Sequence, residues 1–428
     1  MGLQDVSSGE RLHIGFFGMR NAGKSSLVNK ITEQQLAVVS DVKGTTTDPV
    51  KKAMELLPLG PVVIIDTPGM DDEGQLGKLR IEKTQQILGQ TDIAVLVVDA
   101  SVGVREQDEE LIKTFAERKI PYIVVYNKAD LVTKCADDSK NVNLDPNNIV
   151  QSENTLFVSS ILGEGIQELK EKLGVFVSGM KKQKPLVADM IKEGDIVVLV
   201  TPIDESAPKG RLILPQQLTI RDILDKHGIV VTCQDTELVQ TLAGLSKAPK
   251  MVITDSQVFG KVSMDVPKNV PLTSFSILMA RYKGDLEELV KGAAALSKLQ
   301  DGDKVLISEG CTHHRQCNDI GTVKMPHWIE AFSGIKKAEA GDGKGNTESG
   351  LQFSFTSGGD FPKDLSPYSV IVHCGGCTLN ETEMKHRVNR AVSAGVPIVN
   401  YGIAIAHMHG ILKRSVQLFP DVSALLET

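Results

Sequence analysis

The sequence predicts an α/β protein in three domains: an N-terminal doubly wound sheet, a small α/β unit and a C-terminal α/β domain with a mainly parallel sheet. Three observations lead there. At 428 residues the chain is too long for one ordinary core. Short runs of β-branched and aliphatic residues alternate with amphipathic stretches from end to end. Two segments interrupt that alternation, the charged "GMKKQKP" at 179–185 and the proline-bearing "SMDVPKNVP" at 263–271. The expected boundaries are therefore 1–180, 185–264 and 265–428.

In the first domain, "LHIGFFG" (12–18), "VVIID" (62–66), "IAVLVVD" (93–99), "PYIVVYN" (121–127) and "LFVSS" (156–160) read as buried parallel strands. Helical stretches such as "SSLVNKITEQ" and "REQDEELIKTFAERK" lie between them. The middle domain runs strand, helix, strand, helix, strand through "GDIVVLVTPID", "QQLTIRDILDKHG", "IVVTCQD", "ELVQTLAGLSKAP" and "KMVITDSQVFGKV". About 80 residues make a marginal core, which self-association or docking on a neighbour would help. The last domain alternates again, with strands in "DKVLISEG", "LQFSFTSG", "YSVIVH" and "VPIVNYG" and helices in "GDLEELVKGAAALSKL" and "EMKHRVNRAVSAG".

Composition narrows the functional classes. Apolar residues make up 41% and charged residues 24%, as in a soluble globular protein, and the net charge is −7. An acidic balance argues against binding to a nucleic-acid backbone. No run of about 18 apolar residues suggests a membrane span, and no secretory signal is visible, so a cytoplasmic location is expected. Six cysteines in such a chain suggest metal or redox use, or burial, before a disulfide framework.

"GMRNAGKSS" (18–26) fits G-x-x-x-x-G-K-[ST] between a predicted strand and a helix, the context a phosphate-binding loop needs. Backbone from Gly18 through Asn21, Ala22 and Gly23 to Ser26 can face phosphate oxygens. Lys24 can neutralise the β- and γ-phosphates, and Ser25 can ligate Mg²⁺. "DTPG" (66–69) closes a strand, where Asp66 can hold Mg²⁺ through water and Gly69 can offer its N–H to a γ-phosphate. "NKAD" (127–130) closes another, with Asn127 and Asp130 suited to the guanine edge and Lys128 packing over the phosphate loop. "GTTTD" (44–48) occupies the place of a switch loop, and one of its threonines, taken as Thr46, can complete the Mg²⁺ shell. "SSILGEG" (159–165), with Ser159 and Ser160, occupies the place of the loop that touches the base. Lys24, Thr46, Asp66 and Gly69 are the expected catalytic group.

Order and spacing of these motifs resemble the translation-factor-like GTPases. "NAGKSSL" together with "GTTTD" resembles the subgroup of the tRNA-modification GTPase and its bacterial relatives. The residue after DTPG is Met70, which has no amide to orient water. The resemblance implies that K⁺ supplies the missing charge, held partly by Asn21, and that GTP hydrolysis is slow and faster in K⁺ than in Na⁺.

A second constellation lies near the end of the chain. "HCGGC" (373–377) and "CTHHRQC" (311–317) each follow a predicted strand directly. If those strands are parallel neighbours, both loops lie on one carboxyl edge, where open α/β sheets bind ligands. Cys311, Cys374 and Cys377 could then converge. Three thiolates suit a [4Fe–4S] cluster with a weakly held fourth ligand or a Cys₃His zinc site, and spacing alone does not choose between them. Separate buried cysteines are the bland alternative, against which the glycine pair argues. Candidate fourth ligands are His313, His314 and His373. Cys317 reads as a bystander, Cys135 and Cys233 as unrelated, and His407, His409 and Trp328 as structural.

GTPase motifs, a small α/β middle and the C-x-H…H-C-x-x-C tail together resemble the [FeFe]-hydrogenase maturation GTPases, over essentially the whole chain. The resemblance implies a [4Fe–4S] cluster on Cys311, Cys374 and Cys377 and a homodimer through the middle domain. It implies a scaffold or carrier that receives a transient diiron precursor bearing CO and CN⁻, made with two radical-SAM maturases, and delivers it to the hydrogenase apoprotein. GTP and GDP would regulate partner exchange. The competing expectation is a GTPase with a structural zinc tail acting in RNA or ribosome handling.

Overall fold

The computed structural model describes residues 6–34, 49–69, 83–135, 153–180, 185–203, 212–311, 319–338 and 349–426. The chain divides into two compact units, Met1–Lys182 and Gln183–Thr428.

The first unit is a six-stranded sheet in the order β2-β3-β1-β4-β5-β6, with β1 Leu12–Phe17, β2 Val50–Leu56, β3 Gly60–Asp66, β4 Ile93–Asp99, β5 Tyr122–Asn127 and β6 Thr155–Phe157. All neighbours run parallel except β2 and β3. Side chains alternate across the sheet, so β1 feeds two cores. Ile14 and Phe16 join Leu27, Val28 and Ile31 of helix Lys24–Thr32 and Leu169 and Leu173 of helix Ile166–Gly179. Phe17 faces the other way, with Leu111 and Phe115 of helix Glu106–Glu117. The central strands have nearly unbroken burial because helices cover both faces. β2 is a strand that sequence reading does not predict. "VKKAMEL" is mostly exposed and carries two lysines, as an edge strand can afford.

The second unit holds two four-stranded sheets. One has the order β10-β9-β7-β8, with β7 Ile196–Val200, β8 Ile229–Cys233, β9 Met251–Thr254 and β10 Leu272–Ser274. The other has the order β12-β11-β13-β14, with β11 Lys304–Ser308, β12 Gln352–Thr356, β13 Val370–His373 and β14 Ile398–Asn400. Every pairing in both is parallel. A single apolar core runs through both sheets. Helix Phe275–Lys283 contacts helix Leu214–Asp225 of the first sheet's layer and helices Glu381–Ser393 and Tyr401–Met408 of the second's. The middle domain expected from sequence stops at 264, yet β10 lies beyond it and pairs with β9. Three residues give too short a pattern for periodicity to register. Trp328 packs against this core, and His407 bonds Ser297 Oγ at 2.8 Å, both in structural settings.

Candidate functional site

In the first unit, the loop between β1 and helix Lys24–Thr32 is shaped by two glycines. Gly18 has φ +134°, and a Cβ there would stand 2.2 Å from the Val97 carbonyl oxygen. Gly23 has φ +88°, and its Cβ would stand 2.2 Å from Asn127 Nδ2. Neither position admits a side chain. Asn21, at φ 61°, is exposed at the loop's tip. Lys24 Nζ donates to the carbonyls of Gly18 at 2.9 Å and Met19 at 2.8 Å. Ala22 is buried and Ser26 half-buried.

Ser25 Oγ donates to Asp66 Oδ2 at 2.6 Å, while the buried Asp66 Oδ1 has no hydrogen-bond partner among the described residues. Burial raises the Asp66 carboxyl above its ordinary range, against the opposing pull of Ser25 and Lys24. An orphaned carboxylate oxygen beside a serine hydroxyl fits a Mg²⁺ site. Gly69 lies against Arg20, where a Cβ would come within 2.7 Å of Arg20 Cα, so the loop after β3 abuts the phosphate loop.

The ends of β5 and β6 form the third part. Asn127 is wholly buried, and its Nδ2 donates to the carbonyls of Ala22 at 3.0 Å and Gly23 at 3.4 Å. Its Oδ1 accepts from the Ser160 N–H at 3.1 Å. Asn127 therefore braces the phosphate loop against the loop that follows β6. Asp130 accepts from Ser159 Oγ at 2.5 Å. Lys128, at φ 63°, pairs with Asp99 Oδ2 at 2.6 Å, and that bond helps hold the Asp99 carboxyl down against its own burial. Asp99 ends "IAVLVVD" as Asp66 ends "VVIID", but no nucleotide-binding motif marks it in the sequence. Thr46 and Met70 lie outside the described residues.

In the second unit, β11 and β13 are adjacent and parallel, with Ser308 opposite His373. Cys311 and Cys374 consequently leave the same sheet edge. Cys374 Sγ accepts N–H bonds from Gly310 at 3.0 Å and Gly376 at 3.4 Å. Burial pushes the Cys374 thiol up to about 12, the two amides oppose the shift, and Cys311 and Cys377 are near enough to raise it further. Thr378 Oγ1 closes the loop on the Gly310 carbonyl at 2.8 Å. The wholly buried Lys283 donates to the carbonyls of Cys377 at 3.1 Å and Leu379 at 2.8 Å. Among the described residues no three His, Cys, Asp or Glu side chains are grouped closely enough for a single metal ion. Amide N–H groups on a sulfur, neighbouring thiols and a buried cation behind them nonetheless suit a thiolate centre.

His373 is wholly buried, with Nδ1 at 2.8 Å from the Cys374 carbonyl and Nε2 at 3.2 Å from an Arg387 nitrogen. Arg387 can only donate, so Nε2 accepts and Nδ1 carries the proton. Burial and Arg387 push the ring's pKa down to about 3, which keeps it neutral. Both ring nitrogens are thus engaged by protein groups. His313, His314 and Cys317 lie outside the described residues.

The first unit has the loops of a P-loop GTPase, and residues 13–128 match the family described as 50S ribosome-binding GTPase. Residues 186–284 match the hydrogen maturase F dimerization domain and residues 287–418 the hydrogen maturase F tetramerization domain. These two matches together span more than half of the chain, which belongs to the hydrogen maturase F family. Among curated relatives, the tRNA modification GTPase MnmE of Dechloromonas aromatica is 31% identical over 163 residues, 38% of this chain and 34% of that protein. GTPase Der of Kosmotoga olearia is 31% identical over 220 residues, 50% of this chain and 49% of that protein. The chain thus spans a third to a half of the length of these relatives. Among solved structures, Era of Aquifex aeolicus bound to GDP·AlF4⁻ is 20% identical, with a TM-score of 0.33, covering 51% of this chain and 91% of that one. No helix among the described residues is long and apolar enough to cross a membrane.

Proposed function

We propose that the chain is a GTP-hydrolysing scaffold in hydrogenase maturation, holding a [4Fe–4S] cluster on Cys311, Cys374 and Cys377. In this reading it carries the diiron CO/CN⁻ precursor as cargo and delivers it to the hydrogenase apoprotein. The observation that carries the reading is the parallel pairing of β11 with β13, which puts the loops bearing Cys311 and Cys374 on one sheet edge within a hydrogen maturase F chain. A bound cluster would supply an iron with an exchangeable ligand, to which a second metal unit could attach. The engagement of both His373 nitrogens favours His313, His314 or an outside group as the fourth ligand.

Ser25, Asp66 and Thr46 would hold Mg²⁺, and Asn21 would share a K⁺ with switch-loop backbone. The γ-phosphate would order the switch loops, and so change which partner surface is offered to the maturases or the apoprotein. The matched dimerization and tetramerization domains support self-association. Hydrolysis is expected to be faster in K⁺ than in Na⁺, and equal rates would sink the K⁺ assignment.

The deciding experiment is iron, sulfide and zinc analysis of anaerobically purified protein, with EPR after reduction. Four irons and four sulfides per chain are expected, with a reduced-cluster signal lost in Cys374→Ala. Stoichiometric zinc that persists through iron–sulfur reconstitution would overturn the reading. The ribosome-binding description of the matched GTPase family favours a second reading in RNA handling. RNA binding that weakens steeply with salt would support it.

A further inference from the structure

One chain of hydrogen bonds connects the two loops that bring Cys311 and Cys374 together. The Cys311 carbonyl accepts from the Gly358 N–H at 3.2 Å. The Gly358 carbonyl accepts from an Arg387 nitrogen at 2.6 Å. The other terminal nitrogen of Arg387 donates to His373 Nε2 at 3.2 Å, and His373 Nδ1 donates to the Cys374 carbonyl at 2.8 Å. Gly358 follows β12, His373 ends β13 and Arg387 stands on helix Glu381–Ser393, so one guanidinium joins three segments.

Arg387 is itself fixed. It is 2% exposed, bonds Glu383 Oε1 at 2.7 Å and lies over the Phe361 ring, with Cζ 5.3 Å from the centroid. A guanidinium offers donors in fixed, coplanar directions, so it can hold the Gly358 carbonyl and His373 at a set angle. An ammonium is a point charge without that geometry. The remaining cysteine is anchored separately, through Lys283 on the Cys377 carbonyl.

We infer that Arg387, acting through His373 and Gly358, is a positioning residue that sets the placement of Cys311 relative to Cys374. It thereby fixes the geometry that the protein imposes on a metal–thiolate centre. This rests on the reading of these cysteines as a metal centre. Partners of that kind typically change metal affinity by about 10- to 100-fold when removed.

The test uses the full chain, reconstituted with ferrous iron and sulfide, as wild type, Arg387→Lys and His373→Leu. His373→Leu has no polar side-chain atom, so it interrupts the chain while leaving the Arg387–Glu383 pair in place. EPR of the reduced cluster and the rate of iron loss to a chelator are read beside a thermal melt. Both variants are expected to fold, to shift the cluster's g-values and to lose iron about tenfold faster or more. Wild-type g-values and iron loss in the variants that fold would overturn the inference. So would unfolding of both, which would make Arg387 a residue of the fold alone. If wild type takes up no iron, the cluster reading fails by itself. The Arg387 chain is then read from Co²⁺–thiolate absorption bands, where unchanged band positions and affinity in the variants would overturn the inference.

Discussion

Asn127→Ala should weaken nucleotide binding by removing a brace, with the base contributing nothing to the loss. The side chain is wholly buried and makes two well-formed bonds, to the Ala22 carbonyl at 3.0 Å and from the Ser160 N–H at 3.1 Å. The contact to the Gly23 carbonyl, at 3.4 Å, is too long to add much. Truncation leaves the buried Ala22 carbonyl and the half-buried Ser160 N–H without this partner, at about 1–2 kcal/mol each. If the loop must recover that order on binding, about 2–4 kcal/mol comes off the affinity, or about 30- to 700-fold. Titration calorimetry with GDP and with ribose 5-diphosphate, which carries no base, separates the brace from base recognition. A brace predicts the same fold-loss for both. A loss confined to GDP, with ribose 5-diphosphate unchanged, would refute the reasoning.

Asp130→Asn should do the opposite. A carboxylate accepts from the guanine ring N–H and amino group, whereas an amide donates, so GDP affinity should fall and XDP affinity rise in the same calorimetric assay. Asp66→Asn should abolish most Mg²⁺-dependent GTP hydrolysis without lowering the melting temperature in EDTA. Burial raises the Asp66 pKa, so the folded protein binds this proton more tightly than the unfolded chain, and Asp66 destabilises the nucleotide-free unit as pH rises from the ordinary carboxylate value through the raised one. The wild-type melting temperature should accordingly gain less than that of Asp66→Asn between pH 3.5 and pH 7, and parallel curves would contradict this assignment. Phe115→Ala should cost the first unit about 3–5 kcal/mol in denaturant unfolding, because its buried ring packs against Phe17 at 5.4 Å and Tyr122 at 5.6 Å.

Much of the fold was legible because central parallel strands bury both faces and so read as unbroken apolar runs. β4 spans the seven residues of "IAVLVVD". β2 escaped because an edge strand with lysines reads as a polar loop, and β10 because three residues carry no period. The nucleotide loops were legible from spacing, since glycines at 18 and 23 answer local requirements of backbone approach. The parallel neighbours β11 and β13 were conceivable from sequence but not derivable, because strand order is a long-range property. The Arg387 chain was out of reach for the same reason. Its members at 311, 358, 373 and 387 come from separate elements, and nothing in "EMKHRVNRAVSAG" distinguishes Arg387 from the half-buried Arg390 three residues on.

The two units use a buried or nearly buried lysine in ways that look alike and differ in consequence. Lys24 holds two carbonyls of the phosphate loop at 2.9 and 2.8 Å, and Lys283 holds two carbonyls of the thiol loop at 3.1 and 2.8 Å. Lys24 keeps 7% exposure at the edge where phosphates bind, so nucleotide can exchange those carbonyl bonds for stronger bonds to phosphate oxygens. Nucleotide binding should therefore break these two contacts. Lys283 has no exposure, and the segment it holds continues into the helix Glu381–Ser393 that carries Arg387. Freeing it would bury an ammonium without those two acceptors, a cost of several kcal/mol, so its bonds should persist whatever occupies the site. One loop is therefore built to exchange partners and the other to hold still. That difference suits a nucleotide that must turn over and the proposed metal centre, whose protein ligands must not.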